Sequence, residues 1–363
     1  MIADIIHKIA ADQQKEKGEY NYSERPSLSG PNRCIRQMVY WSLGYPRKPL
    51  PGRTVIIFDD SSWHEELTAD WIRRSAYTLH SEQMHINIPA GLDWLPERSC
   101  GFKGCKEIIP AGHLGGHIDG ILTDLVGKDI LWEHKAINHF TFAMDEKVKV
   151  FPLDYITQTC LYLLGIQEVE PRLADALLCI KNKNTSQYFE YYISYDSKKD
   201  TARIEWAMSS TDCERITVNE AFENIAKNAF DKFKIVREYV TKKEIPPRQY
   251  DHSDWQCNYC PYGEICYENW EDEFATMEKD VVLDEEMETM CHYYLETNMH
   301  LKEMNKKKDE LKSKIKARMK ELNVKEGTAG GYIVRLRLQE KKEFVSPACK
   351  FEVLNIYNKK EKK

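Results

Sequence analysis

A chain of 363 residues is roughly twice the length of one ordinary domain, enough for a full hydrophobic core and an accessory region. With 42% apolar and 30% charged residues it reads as a globular protein, and no run approaches the ~20 apolar residues of a membrane span. Its net charge of −6 is uneven: residues 301–363 hold 19 Lys and Arg against 9 Asp and Glu, which leaves −16 on residues 1–300. An acidic body repels a polyanion unless bound cations reverse the field, and the basic tail is either a nucleic-acid contact or a solvated helix face.

In chain order, Ile2–Lys15 reads as an amphipathic helix, and the charged start Met1–Lys17 lacks a signal-peptide core. A turn at Ser27–Pro31 precedes a helix from Arg33 to Leu43, which Gly44 and Pro46 end. A helix over Ser61–Ser75 is expected to bury Trp63, Leu67, Trp71 and Ile72. The period then shortens to two, and Met84–Ile88, His117–Leu122 and Ile130–His134 read as strands, the last two joined by a turn at Gly127-Lys128. Asp154–Leu164 is helical, and Leu173–Ile180 and Tyr188–Tyr195 are two further strands. After Asp196 the reading is mostly helical, with a helix over Ile216–Thr241 and an acidic stretch, Glu268–Glu288. A long helix over Glu286–Leu322 follows, with Leu301, Met304, Leu311, Ile315, Met319 and Leu322 on one stripe. A strand at Tyr332–Leu338 and a disordered end, Asn358–Lys363, complete the chain. The fold class is α/β, or mixed α+β: a small mixed sheet flanked by helices, with a C-terminal helical extension.

The chemistry centres on Gly116-His117-Ile118-Asp119-Gly120 and Leu131-Trp132-Glu133-His134-Lys135. On adjacent strands Asp119 and Glu133 reach one edge of the sheet, and alternation puts Glu133 and Lys135 on one face. Two hard carboxylates suit Mg²⁺ or Mn²⁺. A lysine beside them can activate a water or stabilise charge on a phosphate. Chance surface charges produce the same spacing. His64, in Trp63-His64-Glu65-Glu66, could add a nitrogen ligand or be a surface histidine. Gln158 and Tyr162, at i and i+4 of a helix, could hold a phosphate or be a core tyrosine beside a surface glutamine.

These four elements stand in the order found in the PD-(D/E)XK nuclease superfamily, and the chain resembles its RecB/Cas4-like exonuclease branch over roughly residues 28–270. The resemblance implies that His64, Asp119, Glu133 and the backbone carbonyl of His134 ligate the metal. It implies that Lys135 is catalytic, that Gln158 and Tyr162 form a QxxxY element, and that Glu65 supports the metal histidine.

Eleven cysteines, an odd number, argue against a disulfide framework and for a reducing compartment. The resemblance implies that this is the cytosol of a bacterium, an archaeon or a phage-infected host. Cys257, Cys260 and Cys266 form a C-x2-C-x5-C cluster, and Cys34 is the candidate fourth thiolate far upstream. Four cysteines hold Zn²⁺ or an iron–sulfur cluster equally well on chemistry alone. The split arrangement resembles that of the Cas4 and AddB iron–sulfur nucleases, which implies a [4Fe-4S] staple. Cys100, Cys105, His113 and His117 form a second pattern, C-x4-C-x7-H-x3-H, compatible with a small zinc site or with an ordinary loop.

Residues 1–60 are thus expected to carry the first cluster cysteine, 61–200 the nuclease core, 201–280 the three-cysteine motif, and 281–363 the extension. The expected function is metal-dependent exonucleolytic hydrolysis of DNA from a free end, in end processing, recombination or repair. The length beyond the minimal core points to a phage or mobile-element recombination enzyme rather than to CRISPR spacer acquisition. Its partners are DNA and, beyond that, a second copy or a recombination or CRISPR protein. The rivals are a non-catalytic iron–sulfur DNA-binding adaptor and a structure-specific endonuclease.

Overall fold

In the computed structural model the described residues are 2–16, 22–102, 104–142, 151–211, 213–252, 254–269, 285–329 and 332–336. The elements in order are α1 (Ile2–Glu16), a 3-10 turn (Pro26–Leu28), α2 (Ile35–Ser42), α3 (Gly52–Arg73), β1 (Thr78–His80), β2 (His85–Pro89), β3 (Arg98–Ser99), β4 (Ile108–Ile109), β5 (His113–His117), β6 (Gly120–Thr123) and β7 (Asp129–Ile137). Then come α4 (Leu153–Gln167), β8 (Asp175–Asn182), β9 (Tyr188–Asp196), β10 (Thr201–Ser209), β11 (Arg215–Glu223), α5 (Ile225–Lys242) and two single helical turns, Trp255–Asn258 and Gly263–Cys266. The remainder is α6 (Glu285–Glu321) and a hairpin of β12 (Glu326–Ala329) and β13 (Tyr332–Arg335).

The chain divides into two compact units, Met1–Tyr250 with Trp255–Cys266, and Asp251–Asp254 with Tyr267–Lys363. In the first, a seven-stranded sheet has the order β1-β6-β7-β8-β9-β10-β11. Only β7 and β8 are parallel, joined by the crossover through α4, and every other pair is antiparallel. β7 is an interior strand covered on both faces, so Ile130–His134 are all buried. The main core lies between the sheet and α4, with Leu131, Ile156, Leu163, Leu178, Ile193, Ile204 and Phe233 all buried in it. A smaller cluster under α3 joins Ala69, Leu122, Ile130, Trp132 and Cys179.

The sheet is larger than the sequence reading, because residues 201–223 are two strands rather than the approach to a helix. A bulge between Ile204 and Trp206 moves the buried set from Ala202 and Ile204 to Ala207 and Ser209, which hides the period of two. The edge strand β11 is mostly exposed: of Ile216, Val218 and Phe222 on its apolar face, only Val218 and Phe222 pack against the core, and Glu220 interrupts the run. Of the helix expected over Ile216–Thr241, only the part from Ile225 is helical. The single strand expected at His117–Leu122 is two, broken at Ile118-Asp119 where the chain passes from the β2–β5 ladder into the large sheet. On α3, Trp63, Leu67 and Trp71 face solvent, at 73, 46 and 60% exposure; Val55, Thr68 and Ala69 are buried instead, because α3 meets β7 along that line. The expected buried stripe on α3 is thus correct only for Ile72, which packs on the smaller cluster.

In the second unit α6 runs 37 residues and the β12–β13 hairpin follows it. Of its apolar stripe, Leu301, Met304, Leu311, Ile315 and Leu322 are exposed and Met319 is buried. Most of the acidic stretch, residues 337–338 of the expected strand and the end Asn358–Lys363 lie outside the described residues.

Candidate active site

Asp119 occupies the two-residue step between β5 and β6. Its Oδ2 accepts the backbone N–H of His134 at 2.7 Å, beyond the point where β6 pairs with β7. In a strand the N–H and C=O of one residue point to the same edge, so the His134 carbonyl is directed towards Asp119 as well. Along β7, alternation sends Leu131, Glu133 and Lys135 towards α4 and Ile130, Trp132 and His134 towards α3. Lys135 Nζ donates to Glu133 Oε1 at 2.5 Å. From α4, Gln158 Nε2 donates to the same oxygen at 3.1 Å and approaches the Tyr162 hydroxyl at 3.3 Å. Asp119, Glu133, Lys135, Gln158 and Tyr162 therefore meet in one buried place.

The His134 ring belongs to the other face. It lies 3.2 Å from Thr68 Oγ1 on α3, and burial, with Lys181 and Lys135 nearby, pushes it down to about 3, so it stays neutral. His64 is drawn to that face too. Its electrostatic neighbours are Lys181, Lys183 and Asp60, and burial lowers its imidazole. Glu65, one residue on, has Asp119 and Lys135 as neighbours instead. On α3, then, Glu65 has Asp119 and Lys135 as its electrostatic neighbours, while the His64 imidazole has Lys181, Lys183 and Asp60, with its Nδ1 buried and without a hydrogen-bond partner.

Burial dominates the electrostatics. It raises Asp119, and it raises Glu133 with Asp119 adding to the effect. Burial alone would lower Lys135, but Glu133 and Asp119 overcome it and hold the side chain as an ammonium. Glu65 is pushed up to about 7 by burial and by Asp119. Glu133 Oε2 is buried with no hydrogen-bond partner. An orphaned carboxylate oxygen among further carboxyls and a carbonyl is a donor set whose chemistry suits a hard divalent cation. Among the described residues no three of the ligand atoms of His64, Glu65, Asp119 and Glu133 lie within 4.8 Å of one another.

These shifts fix a sign. A carboxyl whose pKa is higher in the fold than in the open chain costs stability once both forms are not protonated. Metal-free protein is expected to lose thermal stability as pH rises from about 4.5 through about 8, the window set by Glu65 and Glu133. Saturating Mn²⁺ is expected to remove most of that loss, which melting curves in EDTA and in Mn²⁺ at pH 5.5 and 8 will check.

Gly116 shows how closely α4 approaches β5. A Cβ there would lie 2.6 Å from Tyr162 Cε1 and 3.3 Å from Pro26 Cγ. Gly116→Ala is expected to cost about 1–3 kcal/mol by overpacking, read from denaturant midpoints, and to slow any chemistry that uses Tyr162.

The cysteine segments also converge. Ile35 N–H donates to Gln249 Oε1 at 3.1 Å, Arg36 Nη1 to the Pro246 carbonyl at 2.8 Å, and Lys48 N–H to the Pro261 carbonyl at 2.9 Å. Tyr40 stacks on Tyr262 at 5.6 Å. Cys34, at the head of α2, comes within electrostatic reach of Cys260 and Cys266. Burial pushes the Cys260 thiol up to about 11, and Cys34, Cys266 and Cys257 add to it. Three soft donors gathered round a fourth, half-buried thiol fit a metal cluster in their chemistry. Among the described residues no three of these sulfurs lie within 4.8 Å of one another.

A family model of the PD-(D/E)XK nuclease superfamily matches residues 5–267. Among solved structures, the chain is similar to SSO0001, known from a crystal structure, with 14% identity, 73% of this chain and 96% of that chain covered, and a TM-score of 0.35. No protein of curated function matches the sequence.

Proposed function

We propose that this chain, which belongs to the PD-(D/E)XK nuclease superfamily, is an exonuclease that hydrolyses DNA phosphodiester bonds from a free end. The observation that carries the reading is the pairing of Lys135 with Glu133 Oε1 beside Asp119, with Glu133 Oε2 buried and without a hydrogen-bond partner. Asp119, Glu133, Glu65 and the His134 carbonyl would hold Mg²⁺ or Mn²⁺. When bound, the ion supplies the positive charge that lets an acidic pocket accept a phosphodiester and polarises its oxygens.

The side chains do the remaining work. Lys135, held as an ammonium, is a donor and not a base, so its role is to stabilise charge that builds on the phosphate. Gln158 fixes the rotamer of Glu133 through Oε1 and leaves Oε2 for the ion. The Tyr162 hydroxyl accepts from Gln158 and keeps its own proton to donate to the scissile strand. The four cysteines serve as a staple, a [4Fe-4S] cluster that ties the head of α2 to residues 257–266. The QxxxY pair and this staple support a RecB/Cas4-like enzyme of recombination or repair, of the kind phages and mobile elements carry.

The test is digestion by anaerobically purified protein, with Mg²⁺ or Mn²⁺, of end-labelled linear DNA and of a covalently closed circle. Loss of the linear DNA from its ends with the circle intact is the expected result. Cutting of the circle identifies an endonuclease, and no cleavage of either with any divalent ion leaves a binding protein.

A further inference from the structure

Outside the nuclease site, four ligand-bearing side chains from three separate segments of the chain meet at one point. β2 and β5 pair antiparallel with His85 directly opposite His117, their rings 5.2 Å apart. Between these strands the chain makes a second, very short hairpin, β3–β4, whose tip carries Cys100 and Cys105. Cys100 N–H bonds to the Glu107 carbonyl and Cys105 N–H to the Phe102 carbonyl, both at 3.0 Å, which turns the tip back on itself. One ligand atom from each of His85, Cys100, Cys105 and His117 lies within 4.8 Å of all the others. Cys100 Sγ is 3.7 Å from His117 Nε2. A tetrahedral zinc with bonds of about 2.0 Å to nitrogen and about 2.3 Å to sulfur sets its ligand atoms roughly 3.3–3.8 Å apart.

The protonation pattern is prepared for an ion. Asn87 donates its amide to the Ile108 carbonyl at 3.4 Å, which leaves Oδ1 to accept from His85 Nε2 at 2.9 Å. His85 Nδ1 is then the nitrogen with the lone pair, and it is buried with no partner. Metal-bound histidines are held in this way, the outer nitrogen donating to a protein oxygen. The spacing of the sequence offered His113 as the fourth ligand, but its Nδ1 is 2.9 Å from the Ala111 carbonyl and it is not among the four.

We propose that His85, Cys100, Cys105 and His117 bind a structural Zn²⁺. Two thiolates and two imidazoles in a closed set suit zinc over magnesium or calcium. The ion gives stability to a hairpin of two-residue strands, too short to hold its shape alone. It also pins β5, whose next residues lead to Asp119, so the site braces the ground on which the active-site carboxylate stands.

The test uses full-length protein from zinc-supplemented medium, with zinc, iron and sulfide measured on each sample. About one zinc per chain is expected in the parent, with the Zn K-edge EXAFS fitting two sulfur and two nitrogen neighbours. The Cys100→Ser/Cys105→Ser variant is expected to lose the zinc and keep its iron and sulfide. His85→Ala is expected to bind zinc at least about 10-fold more weakly, and His113→Ala to bind it like the parent. Iron and sulfide report the four-cysteine staple separately, so failure of that reading does not touch this one. A parent without zinc, a Cys100–Cys105 disulfide in its place, or full zinc in the double variant overturns the proposal. If the double variant is insoluble, the EXAFS of the parent decides: two sulfurs and two nitrogens support the site, and four sulfurs overturn it by placing the ion elsewhere.

Discussion

Lys135→Ala is expected to slow DNA cleavage by about 10²–10⁴-fold while its melting temperature changes by only a few degrees. The rate falls because Lys135 is the ammonium held beside Glu133 and Asp119, and nothing else on β7 can put a donor there. The fold survives because Glu133 is already raised by burial, so its carboxyl takes up a proton when the lysine is removed instead of remaining as a buried unpaired charge. Asp119 calls for a gentler change. Asp119→Ala removes a proposed ion ligand and also strands the His134 N–H, which costs about 1–3 kcal/mol of its own. Asp119→Asn keeps an acceptor for that N–H and removes only the charge, so it is expected to match Lys135→Ala in rate and the parent in stability. Single-turnover digestion of end-labelled DNA over a Mn²⁺ titration checks both. Normal turnover with unchanged metal dependence in either variant removes this site from the chemistry.

The second large effect is expected from Cys34→Ala: loss of the visible absorption of the cluster, loss of iron and sulfide, and a melting temperature lower by about 10 °C. A cluster binds only the state in which all four thiolates meet, so its binding energy is folding energy. Cys34 is more than 200 residues from Cys257, and the loop that the proposed cluster would close is correspondingly long. Protein contacts do part of the same work, with Arg36 on Pro246 and Tyr40 on Tyr262, so the fold is expected to weaken without collapsing. A loss of about 4 kcal/mol in a unit of this size corresponds to that shift. If Cys34→Ala keeps its full iron and sulfide, the fourth ligand lies elsewhere.

Much of the site was legible because local pattern and chemistry agreed. Glu133 and Lys135 share a face through the period of a strand, and Gln158 and Tyr162 share one through the turn of a helix, whatever the rest of the chain does. Their residue types, two acids and a lysine, already named a cation and a phosphate. The strands β2, β7, β8 and β9 and the helix α4 follow from apolar runs long enough to carry their own periodicity. β10 and β11 did not, because a bulge reverses the alternation of one and the other is an exposed edge. The stripe on α3 misled for a related reason: a helix that touches one strand along a narrow line buries only Thr68, Ala69 and their neighbours, and leaves its tryptophans outside.

By itself the sequence determined which residue types were available at which spacings: the carboxylate–lysine pair of β7, the QxxxY pair of α4, and the split cysteines. Tertiary structure alone decided which of them meet. Whether α3 offers His64 or Glu65 depends on how a helix is rotated over the sheet, and a single residue step turns about 100°. Whether His85 or His113 joins the two cysteines depends on strand register, since His85 pairs with His117 across a ladder that closes over some thirty intervening residues. Periodicity fixes faces within an element. Rotation and register between elements are set by long-range packing and ladder hydrogen bonds, and those are written in no local stretch of the chain.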